Sequence, residues 1–327
     1  MKLTTEAKQV SEYLAKIGFL HEGEEVTKVS IPGAGNMNFT IRVNTNSRSF
    51  IVKQSRDYVE KYPQVAAPAD RCQREAEFYT LLKSSNKLRS MVPRVFHVDK
   101  EENIMIMADL GAGTDFTYLY NKDQEIDEKD LSKVMQFVAT LHKEYTSDTS
   151  EYVIRNHDMR KLNHEHIFVY PFIDDNGLNL DDIHEGLEEI AEPYRADELL
   201  KTEVEKIGKL YLADGNTLLH GDFFPGSWLK TKHGIQIIDP EFCFFGFPEF
   251  EIGVTLAHLM LANQSEEILD HALASYMSRS SLDIELTEKC AGIEIMRRIL
   301  GLAQLPLSLD LEQKRELLQL AYAYITD

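Results

Sequence analysis

Two short acidic stretches hold the residues best suited to chemistry. His220-Gly221-Asp222-Phe223-Phe224-Pro225-Gly226-Ser227 follows the apolar pair Leu218-Leu219, and Asp239-Pro240-Glu241-Phe242 follows Ile237-Ile238. Between them, residues 227–231 and 235–238 read as two short strands around the turn Lys232-His233-Gly234. Acidic clusters joined by such a hairpin predict carboxylates side by side at the same end of neighbouring strands, an arrangement that attracts cations. Mg2+ takes one or two carboxylates and completes its shell with water and substrate phosphates. Asp239 and Glu241 are the expected ligands. Asp222 would face a nucleophile and accept its proton during phosphate transfer. Ser227, five residues further on, would offer its hydroxyl to the metal or hold the loop.

Either stretch alone would read as a turn or a strand end; their joint occurrence at this separation favours the chemical reading. A catalytic aspartate, a metal ligand shortly after it and a metal-binding aspartate beyond a hairpin is the order used in protein-kinase phosphoryl transfer. The amino-terminal region supplies a matching half. Phe50-Ile51-Val52-Lys53 puts one lysine in an apolar strand, where an unpaired ammonium is costly to bury. Glu75 of Arg74-Glu75-Ala76-Glu77-Phe78 is expected to orient it, in preference to Glu77, and ATP phosphates would complete the pairing. Pro32-Gly33-Ala34-Gly35-Asn36-Met37-Asn38 falls between strands, where Gly33 and Gly35, with Asn36 and Asn38, would let backbone N–H groups approach phosphates or would simply make a tight turn. The run from Ile104 to Leu110 offers an apolar adenine slot, with backbone hydrogen bonds near Met107 and Asp109, and reads equally as a core strand.

The elements that must position these groups follow from periodicity. Residues 5–17 read as a short amphipathic helix closed by Gly18, and residues 25–31, 37–43 and 49–54 as an antiparallel meander. Residues 71–82 read as a helix with Pro68 in its first turn, followed by strands at 94–98 and 103–107. The glycines of Asp109-Leu110-Gly111-Ala112-Gly113-Thr114 mark a hinge. Beyond it helices dominate, at 131–142, 182–190, 199–212 and from 251 onward. The expectation is an α+β protein of two lobes: a small antiparallel β-rich lobe over residues 1–109, binding nucleotide, and a large α-rich lobe over 110–327, carrying catalysis and substrate binding.

Composition narrows the partners. With 35 Lys and Arg against 54 Asp and Glu, the formal charge is −19 over 327 residues, which argues against nucleic-acid and anionic-membrane binding. A content of 43% hydrophobic and 27% charged residues is that of a globular protein and excludes disordered and fibrous classes. No apolar run approaches the roughly 18 residues of a membrane span, and the first residues lack a signal-peptide core, so a cytoplasmic location is expected. Cys72, Cys243 and Cys290 are scattered, which fits reduced packing thiols rather than disulfides or zinc.

Taken together, these residues resemble the aminoglycoside phosphotransferase and choline kinase superfamily, and within it most closely the 5-methylthioribose kinases. The resemblance runs from about Ile31 to Ala321. It rests on Gly35-Asn36-Met37-Asn38, on Ile51-Val52-Lys53-Gln54 with Tyr58-Val59, on His220-Gly221-Asp222 with Gly226-Ser227, and on Ile238-Asp239-Pro240-Glu241-Phe242 with Phe245-Gly246. It implies a protein-kinase-like fold, ATP and Mg2+ as cofactors, and transfer of the γ-phosphate to a small-molecule hydroxyl. The acceptor implied is methylthioribose or a related sugar; an aminoglycoside, a choline-like amine or a non-catalytic nucleotide-binding scaffold are the alternatives. The Asp-Pro-Glu-Phe form implies Glu241 as a metal ligand beside Asp239. Met296-Arg297-Arg298-Ile299 looks like that family's tandem-arginine segment, which helps form the sugar site. The resemblance allows a homodimer. Phe223-Phe224 and Phe247-Pro248-Glu249 depart from the family pattern, and the chain is shorter than is usual there.

Other residues carry plainer expectations. His164 and His166 share a face only in a strand and lack a third ligand at metal spacing, which favours a structural or substrate-rim role. Consecutive residues of a helix diverge by about 100°, so only one of Arg297 and Arg298 should face a common ligand fully; their plain alternative is ion pairing with this acidic protein's own surface. His142 reads as a capping or packing histidine and Trp228 as core.

Overall fold

Lys53 lies in the middle strand of the first sheet, in a run buried from Phe50 to Gln54. The computed structural model describes every residue except Ala34 and Asn36. Helix α1 (Ala7–Lys16) buries Val10, Tyr13 and Leu14, and Gly18, at φ +67°, ends it as its position predicts. Strands β1 (Val26–Ser30), β2 (Phe39–Thr45) and β3 (Ser49–Gln54) form the expected meander, and a small hairpin, β4 (Tyr58–Val59) with β5 (Tyr62–Ala66), leads into α2 (Arg71–Leu81). Strands β6 (Val95–Asp99) and β7 (Ile104–Ala108) complete a five-stranded antiparallel sheet in the order β1-β2-β3-β7-β6. Lys53 pairs with Thr40 on one side and Met105 on the other.

Strand alternation divides β3 between two faces. Phe50 and Val52 join Val10, Leu14, Ile41 and Ile106 in one core, while Lys53 reaches Glu75 of α2. Two local expectations change. Pro68 lies ahead of α2 rather than in its first turn, because the helix starts at Arg71. The β4–β5 hairpin carries no strong alternation; it is tied down by Arg71, which is 0% exposed and donates to the carbonyl oxygens of Arg56, Pro68, Met37 and Tyr58.

Beyond β8 (Gly113–Asp115) come α3 (Glu128–Glu144), α4 (His157–His164), α5 (Leu187–Arg195) and α6 (Glu198–Leu212). Then follow β9 (Thr217–Leu219), β10 (Trp228–Thr231), β11 (Gly234–Ile237) and β12 (Phe244–Gly246), and finally α7 (Pro248–Leu261), α8 (Glu266–Met277), α9 (Ile284–Leu300) and α10 (Leu311–Thr326). The helix expected over 182–190 starts only at Leu187, because Gly186 takes φ +86° and separates it from a short turn at Leu180–Asp182. Helix α7 is apolar nearly all round and buried against α9. Gly253 allows the approach, since a Cβ there would lie 2.6 Å from the Cβ of Cys290 and 2.7 Å from the Thr287 carbonyl oxygen.

The α+β composition matches expectation, with a β-rich first unit (Met1–Gly113 with Gln236–Glu241) and a helical second unit (Thr114–Ile235 with Phe242–Asp327). The single cut after residue 109 does not describe this division. Residues 236–241 return to the first unit because Ile237 N–H bonds Met91 O at 2.7 Å, the Gln236 amide bonds Ser90 O, and Asp239 N–H bonds the Tyr79 hydroxyl. The side-by-side carboxylate geometry also changes: β9, which precedes Asp222, pairs antiparallel with β12. Among the described residues no helix is long and apolar enough to cross a membrane, and all three cysteines are buried thiols outside any disulfide.

The β2–β3 turn is fastened by Glu24, whose carboxylate takes Arg48 Nε at 2.8 Å and the Thr45 hydroxyl at 2.8 Å. The Arg48 hydrogen bond, opposed by burial, lowers Glu24 from the ordinary 4.5 to about 2. A depressed folded value stabilises fully above the unfolded value and is lost as pH falls toward the folded one. The Glu24→Gln variant should therefore unfold at lower urea than the parent at pH 7, with the gap closing between about pH 4.5 and 2. A gap of equal size at pH 7 and near pH 2 would exclude this clamp.

Candidate active site

The first unit assembles a buried ionic cluster around β3 and α2. Lys53 Nζ lies 2.7 and 2.9 Å from the two oxygens of Glu75 and 2.6 Å from Asp239 Oδ1. Glu77 points elsewhere and pairs with Arg74 at 2.6 Å. Glu241 accepts the Asn38 amide at 2.9 Å, and Arg71 Nε lies 3.3 Å away. Burial works against the Lys53 ammonium, but Asp239, Glu75 and Glu241 more than offset it and hold the proton well above its ordinary range. Burial also lifts Glu75 to about 6 and Glu241 to about 8, with neighbouring carboxylates adding to each rise.

Besides burial, three carboxylates (Glu75, Asp239, Glu241) crowd two cations (Lys53, Arg71), so the cluster carries one negative charge in excess when all three are ionised, a state that a further cation bound there would favour. The Asp239 side chain is 46% exposed and sits on a backbone of φ +64°, an unusual conformation for a residue with a Cβ. Among the described residues no group of three His, Cys, Asp or Glu side chains forms a self-sufficient metal site. Mg2+ takes one or two carboxylates together with water and phosphate oxygens, and carboxylate oxygens are the donor type that Asp239 and Glu241 supply.

The remaining residues of the nucleotide reading divide. Gly33 and Gly35 are exposed, and among the described residues a Cβ would meet nothing within 4 Å at Gly33 and Asn38 O, at 3.8 Å, at Gly35, so packing against those residues demands neither glycine. Asn36 lies outside the described residues. Asn38 is buried on Glu241. Met107 is a buried β7 residue paired with Ile51. Asp109 opposes its own burial by accepting Arg42 at 2.9 Å and the Gly111 N–H at 2.9 Å, which together hold it below the usual carboxylate range.

In the second unit the loop after β9 is fixed from beneath. Gly221 takes φ +86°, and a Cβ on it would lie 2.2 Å from Phe242 O, so no other residue fits without a shift. Glu251 of α7, 1% exposed, accepts the backbone N–H of His220 at 3.2 Å and of Gly221 at 2.7 Å. It also bonds His142 Nε2 at 2.9 Å, and His142 Nδ1 meets the Tyr276 hydroxyl at 2.9 Å. His142 is thus part of the loop's support rather than a cap. Ser227 donates its hydroxyl to Asp222 O at 2.7 Å, the loop-holding alternative of the two expected for it. Thr255 donates to Phe223 O.

Asp222 is left partly exposed, its carboxylate pushed up by burial and pulled back by the charges of Arg298 and Arg297. Arg298 Nη2 lies 3.9 Å from Asp222 Oδ1. Both arginines bind Glu294 within α9, Arg297 at 3.0 Å and Arg298 at 2.6 Å, so their partner is a buried carboxylate and not the acidic surface. Trp228 is fully buried against Phe223 and Phe116, as expected. The His164 ring stacks on Phe168 at 5.3 Å and His166 tilts against Tyr170. Sequence reasoning missed Glu251, Glu294 and Arg71. The signal was available for Glu251, an acid amid the apolar positions of Phe250-Glu251-Ile252-Gly253-Val254, the same reasoning that singled out Lys53.

Comparison with known proteins assigns a family and a fold. Residues 28–282 match the family described as phosphotransferase enzyme family. The chain is 26% identical over 266 residues to methylthioribose kinase of Bacillus pumilus, covering 77% of this chain and 64% of that protein. To the methylthioribose kinase of Exiguobacterium sibiricum it is 30% identical over 251 residues, covering 73% and 62%. It thus spans less than two thirds of the length of either relative. Among solved structures, choline kinase LicA from Streptococcus pneumoniae superposes with a TM-score of 0.54 at 14% identity, covering 97% of this chain and 98% of the other, a likeness of fold.

Replacing Glu251 by Ala removes the acceptor of two buried backbone N–H groups and the partner of His142. Unsatisfied buried groups cost about 1–3 kcal/mol each, so the second unit should lose roughly 3 kcal/mol or more, read by urea denaturation. A loss below about 0.5 kcal/mol would show that water reaches these groups and that Glu251 is not their support.

Proposed function

We propose that this chain, which belongs to the phosphotransferase enzyme family, is an ATP-dependent small-molecule kinase whose acceptor is a neutral hydroxyl compound, methylthioribose or a related sugar. The observation that carries the kinase reading is the Lys53 ammonium held between Glu75 and Asp239. A phosphate oxygen can replace the Asp239 contact while Glu75 keeps the ammonium aimed. Mg2+ bound with ATP would neutralise phosphate charge, held by Asp239 and Glu241.

Asp222 would accept a hydrogen bond from the acceptor hydroxyl and orient it. As the new oxygen–phosphorus bond forms and the bond to ADP breaks, the hydroxyl proton passes to Asp222. A loose transition state asks for orientation more than for a strong base. Gly221 and Glu251 keep this carboxylate in place from the backbone side.

The acceptor class follows from charge. Asp222 and Glu294 balance Arg297 and Arg298, two negative against two positive. An incoming amine finds no uncompensated carboxylate, whereas a sugar hydroxyl finds a guanidinium donor and a carboxylate acceptor. This favours a neutral polyol over choline or an aminoglycoside. A reducing cytosolic setting suits three buried thiols that form no disulfide.

Asp222→Asn should lower kcat on the order of 10³-fold while the ATP dissociation constant, read by calorimetry, changes little. Near-normal turnover would remove Asp222 from the reaction. Arg298→Ala should raise the acceptor KM about tenfold or more with the KM for ATP unchanged. A panel of methylthioribose, ribose, choline and an aminoglycoside should rank the sugars first; preferential turnover of choline or the aminoglycoside would overturn the acceptor reading.

A further inference from the structure

The second unit buries a run of polar side chains whose first members, Tyr120 and His258, the reaction as described does not use. It starts at Tyr120 in the helical turn Phe116–Tyr120, passes through His258 of α7 to Glu294 of α9, and ends on Arg298. The Tyr120 hydroxyl lies 2.6 Å from His258 Nδ1, and His258 Nε2 lies 3.1 Å from Glu294 Oε1. His258 is 0% exposed and Glu294 1% exposed. A polar run this deep in an apolar helix pair is expensive unless every member is satisfied, and here the pairing is consistent from end to end. An ionised Glu294 only accepts, so His258 Nε2 carries the proton and Nδ1 accepts from the Tyr120 hydroxyl. Burial, with the arginine charges, lowers His258 to about 4, so it adds no competing cation.

The end of the run is what matters for the site. Arg298 offers its guanidinium nitrogens in a rigid planar fork. Nε is taken by Glu294 at 2.6 Å and Nη1 by the carbonyl oxygen of Ala303 at 3.2 Å, which leaves Nη2 directed toward Asp222. The Phe224 ring lies 5.5 Å from the same guanidinium and 4.9 Å from the His258 ring, covering both. Arg297, on the same carboxylate, leans on the same support.

We infer that Tyr120, His258 and Glu294 are positioning residues that fix the Arg298 guanidinium beside Asp222 and thereby set acceptor affinity. The inference rests on the functional reading above for its consequence on the acceptor, and on geometry alone for its effect on Arg298. A guanidinium held at Nε and Nη1 loses little freedom when an acceptor hydroxyl binds at Nη2. Freed from Glu294, it would have to be ordered by the acceptor itself, and KM would rise.

The test uses the full chain. Tyr120→Phe deletes one hydroxyl at nearly constant volume, and Glu294→Gln removes the charge. With methylthioribose as acceptor, Tyr120→Phe should raise acceptor KM about fivefold, the worth of one buried hydrogen bond, with the KM for ATP within about twofold. Adding Tyr120→Phe to Arg298→Ala should cause no further change, because the run then ends on nothing. A full fivefold effect persisting in the Arg298→Ala background would assign Tyr120 a general structural role and overturn the inference.

NMR of the arginine side chains gives a readout that needs no turnover. The Arg298 Nε–H signal should be sharp and protected from exchange in the parent, broadened in Tyr120→Phe and lost in Glu294→Gln. An Arg298 signal unchanged in Tyr120→Phe overturns the inference whatever the substrate is, even if Glu294→Gln fails to fold. An Arg298 signal that responds as expected, in a protein that phosphorylates no hydroxyl compound, sustains the positioning role and sinks the functional reading instead.

Discussion

An ionised side chain taken out of water has to be met by an opposite charge or by a full set of hydrogen bonds, and this constraint organises both units. Lys53 is the clearest case. It stands in a strand buried on both faces, so its ammonium can exist there only because Glu75 and Asp239 reach it. Removing one member of such a group leaves a buried charge with nothing to balance it, a loss of roughly 3–5 kcal/mol. The placement of α2 over β3, and the return of residues 236–241 to the first unit, both follow from that requirement.

The second unit meets the same constraint with carboxylates. Glu251 is spent on two backbone N–H groups and His142, and so dictates the path of the loop that carries Asp222. Glu294 is spent on Arg297, Arg298 and His258. Neither carboxylate is left to act as a base. Asp222, by contrast, lies 3.9 Å from Arg298 and keeps part of its surface open. Burial has therefore placed chemically identical groups in different surroundings, two spent on support and one left accessible.

The same sorting corrects the first view of the net charge. A surplus of 54 acidic over 35 basic side chains argues against polyanionic partners for the surface as a whole. Locally the balance differs. Around Asp222 two arginines cancel two carboxylates, and around Lys53 two cations sit among three carboxyl groups. A mean over the chain carries no information about such pockets, because screening confines exposed charges to about 10 Å while buried ones act undiluted on their neighbours.

Much of the site was legible in one dimension. A lone lysine in an apolar strand, acids closing apolar runs, and glycine beside a loop aspartate are signals of residue type and spacing, and local chemistry makes them mean the same thing in any fold. The helices and the meander were legible for the same reason, since periodicity is a local property. What the chain order could not reveal was which acid would be buried beneath which loop. Glu251 and His142 are separated by 109 positions, Tyr120 and His258 by 138, and Asn38 and Glu241 by 203. The pairing of β9 with β12, the late start of α5 after Gly186 and the support of Arg298 by Glu294 were likewise settled only when packing chose one partner for each buried polar group. Residue types and their spacing determined by themselves what chemistry this protein could perform; the tertiary structure decided which of its many charges are free to perform it, because only burial against a specific neighbour turns a common carboxylate into a support or a reactant.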